Sequence, residues 1–216
     1  VKNYFDYSGP QRFRRGESLP HLEVDGGIYF VTICLQDSIP KKQLARFKAE
    51  REEELERLKK QKKLTSKTRQ LVDDGYFEKV DGVLDQGHGS MLLQRDDVAQ
   101  IVADAFEYFH RDRYDLDMWS IMGSHAHLTL QTRRGHWLSD IMHSWKSFTG
   151  NEINKLVGRE GKLWQADFYD RLLRSEEELA EKRKYVWRNP EAAGFKEWKW
   201  RRQYPDRWSK DEEKAS

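Results

Sequence analysis

Apolar residues in this chain fall into a few short runs separated by long charged stretches, and the spacing within each run names its element. "IYFVTICL" (28–35) is β-branched and aromatic, bounded by Gly26-Gly27 and later by Pro40, and predicts a strand. "RDDVAQIVADAFEYFH" (95–110) places Val98, Ile101, Val102, Ala105 and Phe109 on one helical stripe, with Asp96 or Asp97 near the N-terminus. "YDLDMWSIM" and "HAHLTLQT" flank Gly123-Ser124 and predict a hairpin, the glycine being expected to supply the positive φ of a tight turn. Residues 137–157 carry Ile141, Trp145, Phe148, Ile153 and Leu156 on one side of a further helix, with Trp145 and Phe148 expected in the core. "DFYDRLLR" (167–174) predicts another strand. A capping-box pattern at Ser175-Glu176-Glu177-Glu178 opens a last helix. Asn189-Pro190 is expected to close it, because the residue before proline is pushed out of helical geometry.

The resulting order is strand, helix, strand, strand, helix, strand, then a final helix and tail. That is the βαββαβ plan of a ferredoxin-like α+β sandwich, an antiparallel sheet expected to be covered on one face. Residues 1–216 read as a single domain. "KKQLARFKAEREEELERLKKQKKL" (41–64) is charged throughout, with a thin apolar line at Leu44, Phe47, Leu55 and Leu58. It predicts a protruding, solvated helix within an insert at 41–70, followed by a loop rich in Gly and Asp. Residues 190–216 form a basic, aromatic tail.

Charge changes the picture by its placement. The net value is only +2, with 35% charged residues against 37% hydrophobic, so composition alone announces no nucleic-acid partner. Between Lys182 and Lys210, however, ten Lys/Arg stand against three Asp/Glu, interleaved with Trp187, Trp198, Trp200, Tyr204 and Trp208. Cations that neutralise phosphates beside rings that stack on bases suit a single strand. Tryptophans covering the core are the alternative reading. The single cysteine, Cys34, excludes an internal disulfide framework and is expected to be a buried thiol of a reduced cytoplasmic protein. No window approaches the ~18 apolar residues of a membrane helix, and no secretory pattern is visible.

The candidate chemistry starts at "GSHAHLTL" (123–130). Strand alternation puts His125, His127 and Thr129 on one face and Ala126, Leu128 and Leu130 on the other. Two neutral imidazoles can bind a divalent cation, but a third ligand is needed. In "KYVWRNP", Tyr185 and Asn189 stand at i and i+4 and so project from one helical face. Delivered beside the histidines, a tyrosine and an amide would make a phosphoryl-transfer site in which the phenol attacks phosphorus. Local positive charge from Lys182, Lys184 or Arg188 would help a phenol with an ordinary pKa of ~10. Each residue also has a plain structural role available, Tyr185 as an amphipathic helix-end residue and Asn189 as a C-cap. Tyr169 is a rival nucleophile without an amide four residues on. "HGSM" (88–91) with "HLTL" (127–130) imitates the paired motifs of metal-independent two-histidine phosphoesterases. A non-catalytic nucleic-acid-binding module is the third possibility. His21, His110, His136 and His143 read as surface or packing residues.

"IYFVTICL", "MWSIMGSHAHLTL", "SWKSFTGNEIN", "LWQADFYDRLLRSEEEL" and "YVWRNPEAAGF" occur in an order that resembles the REP-associated tyrosine transposases. These are domesticated bacterial relatives of the single-strand insertion-sequence transposases of the HUH superfamily. The resemblance covers roughly residues 11–200 and leaves the 41–70 insert least accounted for. The family's hairpin motif reads Met-Pro-Asn-His-hydrophobic-His; here Gly123-Ser124 replaces Pro-Asn and both histidines remain. The resemblance implies a Mg²⁺- or Mn²⁺-dependent nickase and strand transferase, with His125, His127 and Asn189 as ligands and Tyr185 as nucleophile. It implies a 5′-phosphotyrosine intermediate, a free 3′-OH, and single-stranded DNA with imperfect palindromic hairpins as substrate, acted on by a monomer or homodimer. Arg12, Arg14, Arg15, Lys182, Arg188, Lys199, Arg201 and Arg202 are the candidate DNA contacts.

Overall fold

The computed structural model describes residues 5–15 and 20–205; the side chain of Arg15, and Trp208 and Lys210, lie outside the described residues. Strands β1 (Gln11–Arg15) and β2 (Pro20–Val24) form a separate antiparallel ribbon that the charged N-terminal pattern does not announce. The main sheet holds β3 (Ile28–Cys34), β4 (Tyr114–Ile121), β5 (His125–Thr132), β6 (Tyr169–Leu172) and a short β7 (Arg201–Gln203) in the order β6-β3-β5-β4-β7. Every pairing is antiparallel, as the βαββαβ plan requires. Helix α3 (Asp96–Tyr108) crosses from β3 to β4, and α4 (Leu138–Val157) crosses from β5 to β6.

Both crossover helices lie on one face. There Val31, Ile33, Leu116, Ala126, Leu128 and Leu130 of the strands meet Val98, Val102, Phe106, Ile141 and Trp145. Phe148 departs from expectation and is 53% exposed. The second face is covered as well, which corrects the one-sided sandwich. Helix α5 (Glu176–Ala192) packs Leu179 and Val186 on Ile28, Phe30 and Met118. A β-bulge at Asp117 interrupts the β4–β5 register, and Arg183 of α5 clamps that carboxylate at 2.6–3.0 Å. Helix α5 starts at the Ser175 cap as predicted but runs through Pro190 to Ala192. A proline near the end removes one helical hydrogen bond while the following turn still closes on Asn189 and Pro190 carbonyls.

The insert is longer than expected. Helix α1 (Lys41–Lys60) is joined by α2 (Ser66–Leu84), which occupies much of the span read as a loop. Asp73, Asp74, Gly75 and Gly82 depress helix propensity there. Yet Val72, Tyr76, Val80 and Val83 form a stripe, and Thr65 and Thr68 cap reciprocally. Helix α2 sets Tyr76, Val80, Val83 and Leu84 against Cys34, Ile39 and Tyr169, a second apolar cluster beside that of α5.

The hairpin turn also differs in cause. Gly123 is absent from the positive-φ residues; a Cβ there would fall 2.2 Å from Met91 Cε, so a larger residue would have to push the Met91 side chain aside. Trp198 and Trp200 of the tail are spent on the sheet edge, where the Trp198 indole donates to the Ile121 carbonyl.

Candidate active site

Strand alternation carries His125 and His127 to the second face of the sheet, where α2 and α5 meet. Their rings lie 4.6 Å apart between centroids, at 70°. His127 faces Thr32 across the β3–β5 register, and its Nδ1 lies 2.8 Å from Thr32 Oγ1. His125 Nδ1 lies 3.3 Å from Ser124 Oγ, and its Nε2 is buried without a hydrogen-bond partner. Both Nδ1 atoms are thus next to hydroxyls, an arrangement that leaves the Nε2 lone pairs facing inward when Nδ1 carries the proton. Burial keeps both rings neutral: His127 is pushed down to about 3 by desolvation and then by Lys182, and His125 is also held well below the usual range by burial.

One helical turn on α5 brings Tyr185 and Asn189 to the same place. The Tyr185 hydroxyl lies 3.3 Å from His127 Nε2 and accepts from Asn189 Nδ2 at 3.2 Å. Asn189 is buried and its Oδ1 has no partner. Lys182, one turn before Tyr185, sets its ammonium 4.8 Å from the Phe30 ring centroid and 5.7 Å from that of Tyr185. The structure therefore assembles all four central residues foreseen from sequence, together with one of the candidate cations.

Two carboxylates were not foreseen. Asp81 of α2 accepts from the Tyr185 hydroxyl, and its other oxygen, 3.6 Å from His127 Nε2, has no hydrogen-bond partner. With the imidazole neutral this is a polar contact and not an ion pair. Asp85, just past α2, lies beside Asn189, whose amide opposes the rise that burial and Asp81 impose on its carboxyl. Burial, followed by the Asp81 charge and hydrogen bond, lifts the Tyr185 phenol far above its ordinary value. Burial likewise raises the Asp81 carboxyl against the opposing bond from Tyr185. The sequence signal for Asp81 is its place beside Val80 of the α2 stripe, which a loop over this segment conceals.

A divalent ion fits the donor chemistry. His125 Nε2 and Asn189 Oδ1 are buried acceptors without partners, and buried polar atoms left unpaired in a cluster need a ligand or a counter-group. Among the described residues no group of three or more His, Cys, Asp or Glu could hold a metal, so an ion held by the two histidines would take its third protein ligand from the Asn189 amide.

The other candidates separate. Tyr169 is buried between Tyr76 and Phe77. His88 lies in the loop after α2, bonded to Gln86 at 3.1 Å, so its partner is a neighbouring amide and not His127. Arg12 bonds Glu23 at 2.8 Å and stacks on Trp137. Lys199, Arg201 and Arg202 pair with Asp96, Glu191 and Glu107 at 2.7, 3.0 and 2.6 Å. Arg14 and Arg188 are exposed. Arg14 borders a groove of about 490 Å³ that also takes in His143, Lys146 and Lys162.

The fold thus defines an antiparallel α+β sandwich whose second face carries a histidine pair, a tyrosine and an amide. Among solved structures the chain is similar to a REP-associated tyrosine transposase bound to a REP hairpin. The TM-score is 0.52 and the identity 16%, over 93% of this chain and 92% of that one. The likeness is one of fold. No family profile matches the sequence, and no curated protein does. Among the described residues no helix is long and apolar enough to cross a membrane.

Proposed function

We propose that the chain is a metal-dependent single-stranded DNA endonuclease and strand transferase that acts on hairpin-forming DNA through Tyr185. The carrying observation is the Tyr185 hydroxyl held 3.3 Å from His127 Nε2 and 3.2 Å from Asn189 Nδ2, beside the unpaired acceptors His125 Nε2 and Asn189 Oδ1. The fold shared with a transposase bound to a REP hairpin supports the DNA class. His125, His127 and Asn189 would hold Mg²⁺ or Mn²⁺. Bound there, the ion would polarise a non-bridging phosphate oxygen and offset charge on the phosphorane.

The rest follows from the chain's own groups. Thr32 and Ser124 fix the imidazole orientations, Asn189 Nδ2 fixes the phenol, and Lys182 adds positive charge beside it. Tyr185 Oη forms a bond to phosphorus and the P–O3′ bond breaks. A 5′-phosphotyrosine and a 3′-hydroxyl result, the proton lost by the phenol balancing the one gained by the 3′ oxygen. Reversal by another 3′-hydroxyl rejoins the strand without a nucleotide cofactor, since the phosphodiester energy stays in the link.

The test is covalent capture. Wild-type protein mixed with Mn²⁺ and a labelled pool of hairpin oligonucleotides with randomised flanks is expected to yield an SDS-resistant adduct. Tyr185→Phe and EDTA are each expected to abolish it. An adduct that survives Tyr185→Phe assigns the nucleophile elsewhere, and cleavage that survives EDTA removes the metal from the reaction.

A further inference from the structure

The candidate site is closed. His125, His127 and Asn189 are 2%, 0% and 3% exposed, so a phosphodiester cannot reach them in this arrangement. What closes it is the inserted helical hairpin: Asp81 sits on Tyr185 and against His127, and Asp85 lies beside Asn189.

The two ends of the hairpin meet. Asp37, just before α1, accepts from the Ser90 amide at 2.8 Å, and a Cβ on Gly89 would fall 2.4 Å from the Asp37 carbonyl. Gly87, Gly89 and Met91 all have positive φ in that return segment. The hairpin is therefore a flap rooted at one place, and α2 lies over a cluster of its own, separate from the main core. Its contacts with the body include that cluster, Phe77 against Phe30 and Tyr169, the Arg171–Asp74 pair and Asp81 at the site.

We propose that the α1–α2 hairpin is a hinged cover that a DNA strand must displace, Asp81 occupying in the closed state the place of the substrate phosphate. A carboxylate and a phosphodiester are both monoanions with two acceptor oxygens, so they compete for the Tyr185 hydroxyl and repel each other. The inference rests on the proposed function for the identity of the competitor, but the closure itself can be measured without DNA.

The chain supplies the reporter. Cys34 is its only cysteine and is buried under Val80, Val83 and Leu84 of α2. Labelling of full-length protein by N-ethylmaleimide therefore reads cover opening. Asp81→Ala and Val80→Ala remove different holding contacts, and each is expected to raise the labelling rate about tenfold. Val102→Ala, in the core on the other face, is expected to leave it unchanged. Hairpin DNA with Mn²⁺ is expected to accelerate labelling of the wild type, and Asp81→Ala to speed adduct formation. Unchanged labelling in both α2 variants overturns the cover, as does an equal rise in Val102→Ala. Faster labelling with slower adduct formation in Asp81→Ala makes Asp81 part of the chemistry and also overturns it. If no protein forms an adduct, the Tyr185 reading fails while the labelling arm still decides whether the cover opens.

Discussion

Two buried histidine–carboxylate contacts sit on this scaffold and behave oppositely. His21 stacks on Phe168 at 4.6 Å between centroids, and its Nδ1 is bonded directly to Asp170. Burial works to lower the His21 pKa, but the Asp170 hydrogen bond and charge outweigh it and the value is raised. His127 and His125 are as deeply buried, yet the carboxylate beside His127, Asp81, is turned to a tyrosine, and both imidazoles stay neutral. One pair is complete by itself. The other cluster leaves His125 Nε2, Asn189 Oδ1 and an Asp81 oxygen without partners. A satisfied buried pair stabilises a fold, whereas converging unsatisfied groups cost stability and persist where a ligand completes them.

Stability should separate the two most strongly. Asp170→Ala strands His21 and is expected to cost about 3–5 kcal/mol in urea unfolding at pH 7. His125→Leu removes the unpaired Nε2 at the loss of only a long contact to Ser124, and is expected to be neutral or to stabilise by about 1–2 kcal/mol. A large loss in His125→Leu and none in Asp170→Ala would reverse the assignment of structural and functional histidines.

Next in size is the pH dependence, where the two histidines differ in sign. The unfolded chain binds a proton near the ordinary 6.5, which native His127 refuses until about 3. Stability therefore falls on acidification, by about 2 kcal/mol between pH 6.5 and 5 from His127 alone, with His125 acting in the same direction. The raised carboxyl of Asp81 works against this at the acid end. For His21 the native value is raised, so its contribution is full below the unfolded value and is lost as pH rises through the native one. Urea titrations at stepped pH should show a shallower acid-side slope in His125→Leu. Asp170→Ala should lose the alkaline-side decline and steepen the acid side, because the raised Asp170 carboxyl is gone and a buried His21 without it resists protonation. An acid-side slope untouched by His125→Leu would mean that His125 is protonated in the native protein.

The same contrast explains what the sequence discloses. The histidines, Tyr185 and Asn189 are legible because two simple periods, alternation on β5 and i, i+4 on α5, aim them, and the sheet order does the rest. Asp81 is not legible, because Gly75, Gly82 and paired aspartates mask a helix held by tertiary packing and a threonine cap. The Asp170 partner of His21 is hidden for another reason: 149 residues separate them, and nothing local marks the contact. The basic aromatic tail shows the reverse ambiguity. Lys199, Arg201, Arg202, Trp198 and Trp200 read as a strand-binding surface, but they pair with Asp96, Glu191 and Glu107 or line the sheet edge. Alternating cations and rings cannot by themselves distinguish a partner outside from acids inside.

The smallest expected effect tests the comparison most finely, because it touches only orientation. Thr32 Oγ1 is 2.8 Å from His127 Nδ1, in the position of the outer partner that fixes the tautomer of a metal-binding imidazole. Thr32→Val keeps the shape and the β-branch on a fully buried strand and removes only the hydroxyl. If that hydroxyl holds the Nδ1 proton, Mn²⁺ affinity by calorimetry should fall about tenfold, worth roughly 1.4 kcal/mol, while metal-free urea stability changes by less. His21, already fixed by Asp170, has no such dependence, so Asp170→Asn should leave Mn²⁺ affinity where it was. A Thr32→Val protein that binds Mn²⁺ as the wild type does would show that His127 is oriented by packing against Phe30, 5.7 Å away between centroids, and not by the threonine.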